Sequence, residues 1–184
     1  MSERHLRKWR ILSSEYRIET KFLRLRADRV ELPSGVVVED YFVRESRGFC
    51  VIFALTPDQH VLLVRQYKHG IAEVVTELPA GMIDEGETPE ACAARELLEE
   101  TGYAGTRPEL VRTFLADPTN ATAHFHLYLV RNAVPTADQR FDVTEEIDVE
   151  LAALDEVRAM ALDGRIAAGS QVAAALVALA HLGR

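Results

Sequence analysis

Seven of the 23 residues from 81 to 103, GMIDEGETPEACAARELLEETGY, are acidic (Asp84, Glu85, Glu87, Glu90, Glu96, Glu99 and Glu100), and only Arg95 is basic. Seven acids against one base give this stretch −6 of the chain's net −8. Charge at this density has to be relieved by solvent or by a metal ion. Thr88 suits a helix N-cap, Pro89 the first helical position and Gly102 a left-handed stop, so the signals predict a helix over Pro89–Thr101. At about 100° per residue Glu96, Glu99 and Glu100 share one face, with only the small Cys92 and Ala93 beside them. Ala91, Ala94, Leu97 and Leu98 form the opposite face, and the expectation is that this apolar side is buried while the carboxylates point outward.

Like charges three or four residues apart on a helix repel by a few tenths of a kcal/mol per pair. Arg95 can bond to Glu99 or back to Glu87, but one cation cannot neutralise four carboxylates. A hard divalent ion can. Mg²⁺ takes oxygen ligands and keeps waters that substrate phosphates can replace, and Mn²⁺ is the other candidate. An acidic helix face is ordinarily just solvated, and here the spacing argues otherwise. Gly81 is followed by five residues and Glu87, then by seven residues and Arg95-Glu96-Leu97, then by one residue and Glu99-Glu100, then by one residue and Gly102-Tyr103. At every fixed position this resembles the Nudix box of the Nudix hydrolases; seven specified positions coincide by chance at roughly one in 10⁸ per starting point.

The rest of the chain describes a globular protein. Its 184 residues are 48% hydrophobic and 27% charged, enough for a good core. No apolar run approaches the ~18 residues of a membrane span, and the charged start MSERHLRKWR leads into no signal-like segment, so a cytoplasmic location away from membranes is expected. Outside residues 81–103 the charge is nearly balanced, 22 acids to 20 bases, which argues against a nucleic-acid surface. Cys50 and Cys92 are too few for a disulfide framework and are expected to be reduced and structural.

Alternation from Leu23 places Leu25 and Ala27 on one face and Arg24, Arg26 and Asp28 on the other; with the turn Pro33-Ser34-Gly35 and the run 36–43 this predicts a β-hairpin with a solvated polar face. Further strands are expected over 48–55, 61–66, 74–78, 110–114, 125–130 and after the polar loop that begins at Phe141. Helices are expected over 154–162, stopped at Gly164, and over 171–182, capped by Ser170. His124 and His126 share a strand face with Tyr128. Without a third ligand nearby they read as the polar lining of a cleft or an exposed face, not a zinc site.

Residues 9–43, the LPSG turn and the segments VRQYKHG and ELPAG resemble the ADP-ribose pyrophosphatase and nucleoside diphosphate sugar hydrolase branch of the Nudix family. The resemblance implies an α+β protein with the Nudix fold, an α/β/α sandwich with a mixed sheet, plus an N-terminal antiparallel β-sheet extension. It divides the chain into an extension over 1–45, packing in a homodimer, and a Nudix domain over 46–184. It implies Mg²⁺ held by Glu96, Glu99, Glu100 and the carbonyl of Ala80, with Gly81 allowing the close approach. Arg95 belongs with the catalytic residues and, with Glu87, holds loop and helix in register; Gly102 ends the helix. Either Glu145 or Glu146 acts as catalytic base or extra ligand. Arg65 either approaches the substrate or forms a salt bridge, and Glu77 either contacts the substrate, is paired or lies exposed at its strand end. The implied reaction is hydrolysis of a nucleoside diphosphate sugar, with ADP-ribose giving AMP and ribose 5-phosphate. GDP-mannose, another nucleoside diphosphate-X, or binding without cleavage are the alternatives. Pro118 lies fifteen residues past Tyr103, where the ADP-ribose branch often has a proline, but in Asp-Pro-Thr-Asn and not Ser-Pro-Gly.

Overall fold

A computed structural model describes residues 6–140 and 146–184. Its contacts fall into two compact units, Met1–Arg47 with Leu115–Ala123, and Gly48–Phe114 with His124–Arg184.

The first unit is an antiparallel sheet in the order β1-β2-β3, formed by β1 (Arg10–Glu19), β2 (Arg24–Glu31) and β3 (Val37–Glu45). The expected hairpin is β2–β3, turned at Gly35 with φ 86°; β1 is a further strand. The polar face of β2 is not simply solvated. Asp28 is 2% exposed, and its carboxylate accepts from Arg26 Nε at 2.9 Å and Ser14 Oγ at 2.6 Å. Ala27, Asp28 and Val30 are all buried, and a register shift between Asp28 and Val30 interrupts the alternation and brings Val30 into phase with Ala27. Residues 117–120 bond to β3: Arg44 N–H donates to Asn120 O at 2.8 Å, Tyr41 Oη to Thr119 O at 2.8 Å and Asn120 Nδ2 to Phe42 O at 3.0 Å.

The second unit contains β4 (Phe49–Ala54), β5 (His60–Lys68), β6 (Glu73–Glu77), β7 (Ala80–Met82), α1 (Pro89–Thr101), β8 (Tyr103–Ala104), β9 (Glu109–Leu115), β10 (His124–Val130), β11 (Val134–Pro135), β12 (Ile147–Ala153), α2 (Leu154–Asp163) and α3 (Gly169–His181). One sheet runs β7-β4-β10-β9 and is mixed, because β4 and β10 are parallel while β4 and β7 are antiparallel. A second runs β12-β5-β6, antiparallel throughout, and β8 pairs with β11.

Strand alternation splits the core in two. Val51, Phe53, Leu55, Val61 and Leu63 pack with Val157, Ala174, Ala178 and Leu179 of α2 and α3. Cys50, Ile52, Ala54 and Leu62, one residue out of phase, pack with Cys92, Ala93 and Leu97 of α1. Helices therefore cover both sides, as the sandwich architecture requires. α3 begins at Gly169 with Ala168 as its cap and no side-chain cap bond, so Ser170 lies inside the first turn and is not the expected N-cap. No helix among the described residues is long and apolar enough to cross a membrane.

Candidate active site

α1 is delimited by its own sequence. Thr88 is extended at φ −82° and accepts the Ala91 N–H through Oγ1 at 3.2 Å, with Pro89 opening the first turn. Gly102 takes φ 74° and donates its N–H to Leu98 O at 2.8 Å. A Cβ on Gly102 would lie 2.4 Å from Ala137 O.

The face turned to the sheet is not the one expected from apolarity. Of the four residues of the expected apolar face Leu97 is buried as expected, but Ala91 and Ala94 are exposed and Leu98 is half-buried, whereas Cys92, Ala93, Glu100 and Thr101 are buried. The reason lies in β7. It is an edge strand whose backbone needs polar partners, and Gly81 leaves a hollow that a carboxylate fills. Glu100, 4% exposed, accepts the Ala80 N–H through Oε2 at 2.9 Å. The Glu96 carboxylate lies against Gly81, where an added Cβ would meet its Cδ at 1.9 Å and its oxygens at 2.0 and 2.2 Å.

The β4–β7 ladder also orients Ala80. Ala80 stands opposite Val51, and the bond between these strands runs from Ile52 N–H to Pro79 O at 2.8 Å, so Val51 and Ala80 form a non-hydrogen-bonded pair. Both backbone groups of Ala80 then leave the strand on the side away from β4. Its N–H meets Glu100, and its carbonyl lies on that same edge.

Arg95 organises the other carboxylates. Its Nε and Nη2 each bond Glu87 at 2.8 Å, Nη1 bonds Glu96 Oε1 at 2.7 Å and Glu99 Oε2 at 3.0 Å, and Nη2 also donates to Met82 O at 3.1 Å. Glu87 in turn accepts the Asp84 N–H at 3.0 Å, tying the loop to the helix. Among the described residues no three acidic, His or Cys side chains converge as a ready metal cage. Arg95 lies between Glu96 and Glu99, while Glu100 is held by Ala80. The donor set nevertheless fits a hard divalent cation: three carboxylates within five residues of one helix and a carbonyl at the neighbouring strand edge are all oxygen. The nearby thiol is engaged elsewhere, since Cys92 Sγ approaches Met82 O at 3.5 Å and Gly81 O at 3.7 Å.

Comparison with known proteins decides the family. Residues 45–174 match the model described as NUDIX domain, and residues 9–43 match that of the nucleoside diphosphate sugar hydrolase N-terminal domain. The chain belongs to the Nudix family. It is 31% identical over 146 residues to a methanol dehydrogenase activator of Bacillus methanolicus, covering 79% of this chain and 78% of that one. It is 28% identical, with the same coverage, to an ADP-ribose pyrophosphatase of Bacillus subtilis (strain 168). A solved structure titled as that of an ADP compounds hydrolase superposes with a TM-score of 0.85 at 21% identity, covering 97% of this chain and 96% of the other, and shows the shared fold. The protein is thus a Nudix pyrophosphohydrolase of the nucleoside diphosphate sugar branch, like the ADP-ribose pyrophosphatases, a family that typically depends on a divalent metal.

The other expected residues of this Nudix site are distributed unevenly. Glu77, 8% exposed, is paired: Lys68 Nζ lies 3.0 Å and Gln66 Nε2 3.5 Å from Oε2. Glu77 stands opposite Val64, so it shares the sheet face of Leu62, which packs with α1. Arg65 points to the opposite face, where its Nη1 lies 3.4 Å from Glu150 Oε1 and it borders a recess with Thr76 and Arg165. The structure brings Glu77 to the box side and leaves Arg65 on the other. Lys68 and Gln66 were missed in the sequence. Their even spacing from Leu62, in phase with the box-side face, was the available signal. Glu145 lies outside the described residues; Glu146 is exposed and immediately precedes β12. His126 is half-buried and its Nδ1 lies 2.9 Å from Thr113 Oγ1, while burial, then the His124 charge, lowers its pKa.

Glu87 gives a pH signature. The Arg95 hydrogen bond holds its carboxyl below the usual carboxylate range. A folded pKa below the unfolded one contributes stability that is full above the unfolded value, near 4.3, and lost as pH falls through the folded value. Melting temperatures followed from pH 6 downward should therefore fall more steeply below about pH 4.3 for the wild type than for Glu87→Gln. Parallel curves would show that the pair contributes nothing.

Proposed function

We propose that this protein is a Mg²⁺-dependent hydrolase, Mn²⁺ substituting, that cleaves the pyrophosphate of ADP-ribose to AMP and ribose 5-phosphate. The observation that carries the proposal is the packing of Glu96 into the Gly81 hollow beside Glu100 on Ala80 N–H, which gathers box carboxylates at one strand edge. In this reading Glu96, Glu99, Glu100 and the Ala80 carbonyl hold the ions, and Glu87 and Arg95 keep the loop against the helix. Divalent magnesium supplies Lewis-acid neutralisation of phosphoryl oxygens, the main requirement of phosphoryl transfer. Either Glu145 or Glu146, beside the start of β12, accepts the proton of the attacking water, and Lys68 with Glu77 offers a cation and an acceptor to the substrate on the box side. Arg65, on the other face, is in this reading a salt-bridge residue.

Residues 1–45 form the dimerising extension and 46–184 the catalytic domain. The exposed Trp9, Ile11, Tyr16 and Ile18 on and beside β1 support pairing of two copies there. The Asp117-Pro118-Thr119-Asn120 loop, bonded to β3 and differing from Ser-Pro-Gly, favours a second reading in which another nucleoside diphosphate sugar such as GDP-mannose is preferred.

The test is product release from ADP-ribose, GDP-mannose and a nucleoside triphosphate with Mg²⁺, each repeated in EDTA. We expect AMP and ribose 5-phosphate from ADP-ribose and no turnover in EDTA. Cleavage of GDP-mannose alone would move the specificity, and binding of ADP-ribose without cleavage would replace the enzyme by a sensor. Light scattering at micromolar concentration checks the dimer, which a monomeric mass would remove.

A further inference from the structure

The carbonyls in the last turn of α1 have no partner inside the helix and must find one elsewhere. Residues 136–140 supply it. Thr136 and Ala137 N–H donate to Gly102 O at 2.8 and 3.1 Å, Arg140 N–H donates to Glu99 O at 2.9 Å, and Gln139 Nε2 donates to Glu100 O at 2.5 Å. The two carbonyls taken by Arg140 and Gln139 belong to the two adjacent residues whose carboxylates define the box. The Gln139 amide also reaches Ile147 O at 3.3 Å. Ile147 opens β12, directly after Glu146. One half-buried side chain thus joins the backbone of Glu100 to the strand that begins beside the proposed base.

Glu100 is held at both ends, its side chain by Ala80 N–H and its carbonyl by Gln139. We infer that Gln139 is a positioning residue for the hydrolytic reaction: it fixes the last turn of α1, and with it Glu99 and Glu100, in register with Glu146 at the start of β12. The inference rests on the metal-dependent reading of the site. It concerns a residue outside the box that touches neither the box carboxylates nor the reacting atoms. A donor is required here, because both acceptors are carbonyl oxygens. Gln139→Leu keeps the approximate shape and removes the donor, while Gln139→Glu sets a carboxylate against two carbonyls.

Two readouts test it. Mn²⁺ affinity, followed by electron paramagnetic resonance with no substrate present, should weaken about tenfold or more in Gln139→Leu and further in Gln139→Glu, as loss of a supporting partner does at other metal sites. Turnover should fall by about ten- to a hundredfold with KM within about threefold. Combined with Glu146→Gln, Gln139→Leu should cost much less than it does alone, since the register it maintains no longer matters. A purely structural amide would lower the melting temperature, leave Mn²⁺ affinity intact well below it, and give additive effects with Glu146→Gln; either result overturns the inference. A wild type that binds Mn²⁺ but cleaves no nucleoside diphosphate sugar would defeat the proposed reaction, while the affinity of the Gln139 variants would still decide whether the amide positions the box.

Discussion

Glu100→Gln should reduce turnover roughly a thousandfold, about 4 kcal/mol of transition-state stabilisation, without loosening the fold. The amide oxygen of glutamine can still accept the Ala80 N–H that Glu100 Oε2 accepts at 2.9 Å, so the helix keeps its hold on β7. What disappears is one negative charge beside Glu87, Glu96 and Glu99, which crowd the single Arg95 cation. Removing a like charge relieves repulsion, and in EDTA the variant should melt at or above the wild-type temperature. Glu99→Gln should follow the same pattern with a smaller stability change, because its carboxylate is more exposed. Turnover at the wild-type rate in both variants at saturating Mg²⁺ would sink the assignment of these residues.

Gly81→Ala is expected to separate activity from stability even more sharply. Gly81 sits in a strand without a left-handed backbone, so alanine is conformationally acceptable there and relieves the entropic cost of glycine. Its Cβ would nevertheless lie 1.9 Å from Glu96 Cδ. The obstacle is the flexible end of one side chain, so Glu96 swings away and the backbone stays. Activity should drop by about a hundredfold or more, as for loss of a group acting in the transition state, while the melting temperature stays within a few degrees. Glu96→Asp withdraws the carboxylate from the same spot. Added to Gly81→Ala it should therefore cost less than it does in the wild type, and strictly additive losses would place the effect elsewhere.

The helix ends were fully legible, because Thr88, Pro89 and Gly102 act through local backbone chemistry and the structure uses each as expected. The orientation of the helix was not. An apolar-face argument treats Ala91, Ala94 and Leu98 as the side to bury, but alanine contributes little area. The binding of Glu96 and Glu100 to β7 depends on a three-residue strand that no periodicity announces. Strand alternation carried more than it was asked for: followed from Leu62, it puts Gln66 and Lys68 on the box side and Arg65 on the other. β1 escaped notice because most of its residues are exposed on both faces, leaving no alternation to read. Buried Asp28 escaped for a different reason, since an acid on the alternating polar face of β2 does not announce its partners Ser14, on another strand, and Arg26.

The edge position of β7 has a consequence for how the protein behaves in a crowded solution. An open strand edge offers unpaired backbone groups to any other extended chain, and proteins commonly shield such edges with charge or with a covering element. Here both are present in one helix. α1 meets the Ala80 N–H with Glu100 and surrounds the outer margin of the strand with like charge, so the same carboxylates that concentrate acidity at the site also discourage edge-to-edge association. Replacing them wholesale with neutral residues would be expected to trade a silent enzyme for a sticky one.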